Sequence, residues 1–211
     1  MNKKDIKKRN DDILAILAAA YPNAKAALNY KNSYELLVAV LLSAQCTDER
    51  VNIVTAVLFK EAPNPYAMVK LGEDNIRNII KSCGLYKNKA KNIFNLSGIL
   101  VDKYHGEVPW ERENLESLPG IGRKSANVVM NVCFGIPAIA VDTHVFRVSR
   151  RLGFSDGKDV LTVEKDLMEL IPEEKWGNAH HWLIFHGRKI CKAQKPLCDE
   201  CPLGEICPKL I

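Results

Sequence analysis

Residues 118–129 read LPGIGRKSANVV, and the way this stretch folds decides the architecture around it. Leu115 and Leu118 lie on one face of a short helix, and Pro119 stops that helix. Gly120 and Gly122 permit positive φ and leave no side chain in the way. Between them Ile121 points back as a hydrophobic pin. A second helix then starts and runs through SANVVMNVCF, with Ala126 placed for a close helix crossing. The first turn of a helix carries unpaired N–H groups and the positive end of the dipole, a geometry that holds a phosphate. A plain helix–turn–helix connection would need only the glycines. The longer pattern, apolar on both flanks, predicts a helix-hairpin-helix that grips a nucleic-acid backbone, a contact that positions a protein without reading base sequence.

The rest of the chain supports a helical frame. Apolar residues recur at three- and four-residue spacing, and strand signals are few. Asn32-x-x-Glu35 has the form of a capping box ahead of YELLVAVLLSAQ. Asp48 is a candidate cap for the next helix, and Asn64-Pro65 fits an N-cap followed by Pro at the first helical position. A helix through NIRNIIKSC is expected to end at Gly84 in the left-handed conformation. Leu85, after it, has the character of a core residue, and Gln45 that of a helix-surface residue. The chain is therefore expected to be all-α, with about ten helices. Composition marks no boundary, and Gly135-Ile136-Pro137 is the best candidate for one.

The chain has 211 residues, 47% hydrophobic and 26% charged, ordinary values for a globular protein able to bury its own core. No segment approaches the roughly 20 apolar residues of a membrane span. MNKKDIKKRNDDI at the start lacks the apolar centre of a secretory signal, so a cytoplasmic location is expected. The formal charge is +5. Lys81, Lys87, Lys89 and Lys91 fall within eleven residues, and Arg188, Lys189, Lys192 and Lys195 within eight. Such clusters suit either phosphate contacts or two solvated faces.

Three positions carry chemistry. Lys124 follows the hairpin directly. Its amine becomes a nucleophile if burial or the neighbouring Arg123 frees the lone pair, and it is otherwise one more phosphate-contacting lysine. Asp142, in VDTHVFR, reads as a helix N-cap on the N–H groups of His144 or Val145. Capping would hold the carboxylate ionised, able to stabilise a sugar cation or move a proton. The tail CKAQKPLCDECPLGEIC sets Cys191, Cys198, Cys201 and Cys207 at spacings x6, x2 and x5. Four thiols within 17 residues read as ligands of zinc or of an iron–sulfur cluster rather than as disulfides. Cys46, Cys83 and Cys133 are scattered and read as small buried apolar residues.

Together LPGIGRKSANVV, VDTHVFRVSRRLG and C-x6-C-x2-C-x5-C resemble the endonuclease III family of helix-hairpin-helix DNA glycosylases with AP lyase activity. LLSAQCTD at 41–48 and GLYKNKAKNI at 84–93 resemble two further family signatures, with Cys46 where Thr is common. The resemblance runs from about Ile13 to Cys207. It implies a six-helix domain over 25–136, and a discontinuous iron–sulfur domain from 1–24 and 137–211 that holds a [4Fe–4S] cluster on the four tail cysteines. The active-site cleft is implied to lie between the two.

The resemblance also implies roles. Lys124 is the nucleophile that forms a Schiff base with a flipped-out nucleotide and cuts 3′ to the lesion by β-elimination, and Asp142 is the catalytic aspartate. Gln45 fills the gap left by the flipped base and Leu85 wedges the duplex. Gly120, Gly122, Lys192 and Lys195 are the expected backbone-contacting residues. The expected substrates are oxidised pyrimidines in duplex DNA and abasic sites, and the expected state is a monomer. The adenine-mispair glycosylases of the same superfamily generally lack the lysine and usually carry a further C-terminal domain. A non-catalytic DNA-binding module and an iron–sulfur electron carrier are the rivals from other classes. The first predicts binding without cleavage and the second no DNA affinity.

Overall fold

A computed structural model describes residues 3–25 and 27–210, and every helix or strand it assigns among them is helical. The chain divides into two compact units. One comprises Ala27–Ile136, and the other Met1–Ala26 with Pro137–Ile211.

The continuous unit is built around α2 (Ser33–Ser43), whose residues from Tyr34 to Leu42 are all buried. An apolar run with no polar face can only be a central helix, and α3 (Asp48–Glu61), α6 (Tyr86–Tyr104) and α8 (Arg123–Phe134) pack around it. The short helices α4 (Pro65–Leu71) and α5 (Glu73–Ile79) pack on α6, and the five-residue α7 (Arg112–Glu116) packs on α8. Asn32 caps α2 by accepting from Glu35 N–H at 2.9 Å. The Glu35 carboxylate reaches one residue further back than a capping box requires and accepts from Lys31 N–H at 2.7 Å. Asn64 caps α4 with Pro65 at its first position, as the sequence predicts. The cap of α3 is Thr47, not Asp48, which is already helical.

In the discontinuous unit α1 (Lys3–Ala20) and α9 (Thr143–Arg151) pack against α11 (Trp176–Lys189), and α10 (Val160–Leu170) packs against α9. Its core joins Ile13, Leu14 and Leu17 of α1 to Val145 and Val148 of α9, Leu183 of α11 and Leu203 of the tail. Gly187 sets the approach of α9 to α11. A Cβ there would stand 3.0 Å from His144 Cβ and 3.1 Å from Val148 Cγ2. Among the described residues no helix is long and apolar enough to cross a membrane.

Candidate functional site

The hairpin folds as its pattern requires, with one amendment. Leu115, Leu118 and Ile121 are buried, and Ala126 is fully buried where α8 crosses α2. Gly120 sits at φ +80, and a Cβ would meet Asn92 Nδ2 at 2.7 Å and Leu41 Cδ1 at 3.0 Å. Gly122 does not use positive φ. Its φ is −98, it caps α8 without a side-chain bond, and a Cβ would meet nothing within 4 Å. Gly120 is thus required by the fold, whereas Gly122 leaves exposed backbone open at the start of α8.

Lys124 is the second residue of α8 and its side chain is exposed. Burial in an apolar pocket, one of the two routes to a free amine, is therefore not built into the chain itself. Arg123 beside it pairs with Glu116 at 3.9 Å.

Two loops of the same unit hold Gln45 and Leu85. Gln45 is not on a helix: it follows α2 at φ +53. Leu85 is not a core residue: it is 56% exposed at φ +57, immediately before α6. Left-handed backbone at a leucine is costly, so its surroundings must impose it. Gly84 does not take the left-handed conformation expected of it. Its lack of a side chain answers a different need, since a Cβ would lie 2.8 Å from the Gln45 carbonyl oxygen. The two loops touch backbone to backbone. Lys89 braces them. It is buried, unlike its exposed neighbours Lys81, Lys87 and Lys91, and its Nζ donates to the carbonyls of Leu42 at 2.8 Å and Ala44 at 2.5 Å. Burial lowers its pKa, opposed by the nearby Cys46 and Cys83. The basic cluster read from the sequence thus loses one member to structure.

In the other unit Asp142 is the N-cap of α9. Its Oδ1 accepts from both His144 N–H and Val145 N–H at 2.8 Å. Burial pushes the His144 imidazole below its ordinary value, helped by Arg147 and Arg188 and opposed by Asp142. Arg147 Nη2 lies 3.1 Å from His144 Nδ1, so that nitrogen accepts and any ring proton sits on Nε2.

Cys191, Cys198, Cys201 and Cys207 all line one apolar cavity, together with His186 and Arg151. None of them is in a disulfide. Among the described residues no group of three or more potential ligands is placed to hold a single metal ion. Burial pushes the Cys201 thiol up, and the charges of the other three cysteines add to this. Four sulfur donors around one cavity suit a cationic core that all of them bind, and the donor set fits an iron–sulfur cluster. The surroundings already supply partners. Arg151 donates to Cys191 Sγ at 3.6 Å, Lys209 N–H to Cys207 Sγ at 3.4 Å, and His186 Nε2 lies 3.7 Å from Cys201 Sγ. His186 is buried, which pushes its pKa to about 4, and its Nδ1 meets the Tyr21 hydroxyl at 3.1 Å.

Sequence reasoning missed the residues that hold this tail. Arg147 donates to the carbonyls of Gly187 at 3.0 Å and Cys191 at 3.1 Å. Arg151 donates to those of Lys192 at 2.6 Å and Ala193 at 3.2 Å. The one available signal was their i,i+4 spacing on α9, which puts both guanidinium groups on one face. The loop they hold leaves Lys192 and Lys195 exposed, the latter at φ +48.

Comparison with known proteins identifies the family and the fold. Residues 38–173 match the family model of the HhH-GPD superfamily base excision DNA repair proteins, and residues 191–207 that of the iron-sulfur binding domain of endonuclease III. Endonuclease III of Bacillus subtilis (strain 168) is 54% identical over 188 residues, covering 89% of this chain and 86% of that one. A non-covalent endonuclease III–DNA complex superposes with a TM-score of 0.92 at 50% identity, over 99% of this chain and 97% of the other. A trapped endonuclease III–DNA covalent intermediate superposes with a TM-score of 0.90 at the same identity and coverage.

Proposed function

Because the chain belongs to the HhH-GPD superfamily of base excision DNA repair proteins, and within it to the endonuclease III family, we propose that it excises oxidised pyrimidines from duplex DNA with Lys124 as nucleophile and Asp142 as the assisting carboxylate. It is a DNA glycosylase with AP lyase activity, and it acts on DNA. We place it in the cytoplasm, associated with the nucleoid if the source is bacterial, and acting as a monomer on damaged bases and on abasic sites.

Lys124 itself carries the assignment. It is an exposed amine in the first turn of α8, directly after a hairpin whose backbone is open at Gly122. The hairpin N–H groups and the α8 dipole hold a phosphate. Leu85, an exposed apolar side chain fixed at the head of α6, enters the stack, and Gln45 fills the vacated space opposite. The damaged nucleotide turns out of the duplex. Covering the amine with DNA strips water from it, and a desolvated ammonium gives up its proton more readily.

Lys124 Nζ then attacks C1′. The base leaves with the bonding electron pair and a proton, while the Asp142 carboxylate stabilises the positive charge that develops on the sugar. Opening of the sugar ring gives the imine between Nζ and C1′. Loss of a proton from C2′ expels the 3′ phosphate and cuts the strand on the 3′ side of the lesion. A similar structure is a trapped endonuclease III–DNA covalent intermediate, which supports a route through a protein–DNA bond.

The four tail cysteines hold the iron–sulfur cluster, for which we propose the [4Fe–4S] form. Once bound, it cross-links four points of the tail and fixes the loop that presents Lys192 and Lys195 to the phosphate backbone.

Borohydride reduction tests the lysine. The protein is mixed with a duplex carrying one abasic site, reduced, and run on a denaturing gel. A covalent protein–DNA band that is lost in Lys124→Gln, with duplex affinity retained, is expected. Absence of the band in the native protein while binding persists would mean that the amine never reaches C1′.

A further inference from the structure

Cys46 and Cys83 are absorbed neither by the iron–sulfur site nor by the chemistry at Lys124, and they sit where the two DNA-probing loops meet. Each is the chain neighbour of a residue at the backbone contact: Cys46 follows Gln45, Cys83 precedes Gly84, and a Gly84 Cβ would stand 2.8 Å from the Gln45 carbonyl oxygen. The Cys83 and Cys46 side chains lie close enough to interact directly. Cys83 is buried and Cys46 half-exposed, both against the same core, with Lys89 held by the carbonyls of Leu42 and Ala44 beside them. One thiol is thus reachable from solvent and the other waits behind it, an attacking and a resolving pair.

We propose that Cys46 and Cys83 form a reversible dithiol–disulfide site that senses oxidation by low-molecular-weight disulfides and, when oxidised, withdraws Gln45 and Leu85 from their working positions, a consequence that rests on the DNA-contacting roles proposed above. The Cys46 thiolate attacks one sulfur of the small disulfide, forming a mixed disulfide and releasing one small thiolate. The Cys83 sulfur, giving up its proton, then attacks Cys46 Sγ and releases the second. Two protein thiols lose two electrons and two protons, and one small disulfide becomes two small thiols. A covalent bond between the two sulfurs draws together two loops that already touch at Gly84 and Gln45. With no room between the backbones, the loops must shear. Gln45 and Leu85, each at positive φ, are the residues on either side of that contact. Misplacement by about 1 Å at such a site costs up to about 100-fold in rate.

The cluster-loaded protein is incubated with glutathione disulfide, its remaining thiols are blocked with N-ethylmaleimide, and it is digested without reductant for peptide mass analysis. Cleavage of a lesion-containing strand and the visible absorbance of the cluster are followed in parallel. The expected result is a Cys46–Cys83 linked peptide pair and a fall in cleavage of about 10-fold or more. Cluster absorbance stays unchanged and dithiothreitol gives full recovery. Cys46→Ser keeps its own reduced rate in the oxidant, whereas Cys83→Ala stops at a mixed disulfide on Cys46 that peptide mass detects. No linked pair at full oxidation, a linked protein that cuts as fast as the reduced one, or inactivation of Cys46→Ser equal to that of the native protein would each overturn the proposal. A reduced protein that never cuts would instead strike at the proposed function, since the peptide mass reads the disulfide independently of activity.

Discussion

Asp142 holds two positions at once, and a pair of substitutions separates them. Its Oδ1 accepts two N–H groups at 2.8 Å at the start of α9. Asparagine keeps an oxygen of the same reach and caps helices as well as aspartate does, so Asp142→Asn retains both bonds. It gives up only the negative charge at the positive end of the helix, about 0.3–1 kcal/mol. At about 2–4 °C per kcal/mol for a chain of this size, melting falls by roughly 1–4 °C. Asp142→Ala removes the acceptor as well and costs a further 1–2 kcal/mol or so, roughly another 2–8 °C. Both variants lack the carboxylate, so single-turnover release of an oxidised pyrimidine from duplex DNA falls by about 10²–10⁴ in each. Stability is read by differential scanning calorimetry and base release by single-turnover kinetics. If Asp142→Asn released the base within a few-fold of the native rate, the carboxylate would be a cap and no more, and if it melted as low as Asp142→Ala, asparagine would not be keeping the cap.

The two hairpin glycines divide in the same way. Gly120→Ala forces an L-residue to φ +80 against Asn92 and should cost about 1–3 kcal/mol in urea denaturation. Gly122→Ala, with open space around it, should fold within about 0.5 kcal/mol of the native chain yet bind duplex more weakly in anisotropy titrations. Lys89→Met leaves the carbonyls of Leu42 and Ala44 without their donor and should lose about 1–3 kcal/mol, so an unchanged urea midpoint would deny the brace. Burial pushes the His181 imidazole from 6.5 to about 4. The unfolded chain therefore binds the extra proton first, and the stability this ring contributes is whole above about pH 6.5 and lost as pH falls towards 4. His181→Gln should flatten that slope without abolishing it, because His186 carries the same shift. Equal slopes in the two proteins would show that the ring is already exposed.

What the sequence disclosed were features whose cause is local. Ile121 between its glycines, Asn64 before Pro65 and Asp142 two and three residues ahead of its N–H partners all interact within one turn, and each stands where its pattern puts it. What it concealed were features with distant or backbone partners. Lys89 looked like its solvated neighbours because the carbonyls it serves lie on α2 and just beyond it. Arg147 and Arg151 answer carbonyls about 40 residues away, and an acceptor on the main chain leaves no mark in residue type. Leu85 misled by its chemistry, since apolarity predicts burial and only the left-handed backbone at its position shows that the side chain is held outward. Gly84 and Gly122 were expected for their torsional freedom, yet one is there to admit a carbonyl and the other leaves room in front of the backbone. The roles proposed for Gln45 and Leu85 come from the family resemblance, since neither periodicity nor charge points to them.

The discontinuous unit also sets a timetable for synthesis. Residues 27–136 hold their own core and can condense as soon as they leave the ribosome. The first helix cannot. Ile13, Leu14 and Leu17 bury themselves only against partners that extend from Ile139 to Leu203. At roughly 5–20 residues per second, this helix waits many seconds for those partners, carrying an uncovered apolar stripe in the meantime. Cluster assembly comes later still, since Cys207 lies beyond every one of those partners. The nascent chain is therefore most vulnerable at its apolar residues Ile13, Leu14 and Leu17, and a chaperone or a pause in translation would do most good there.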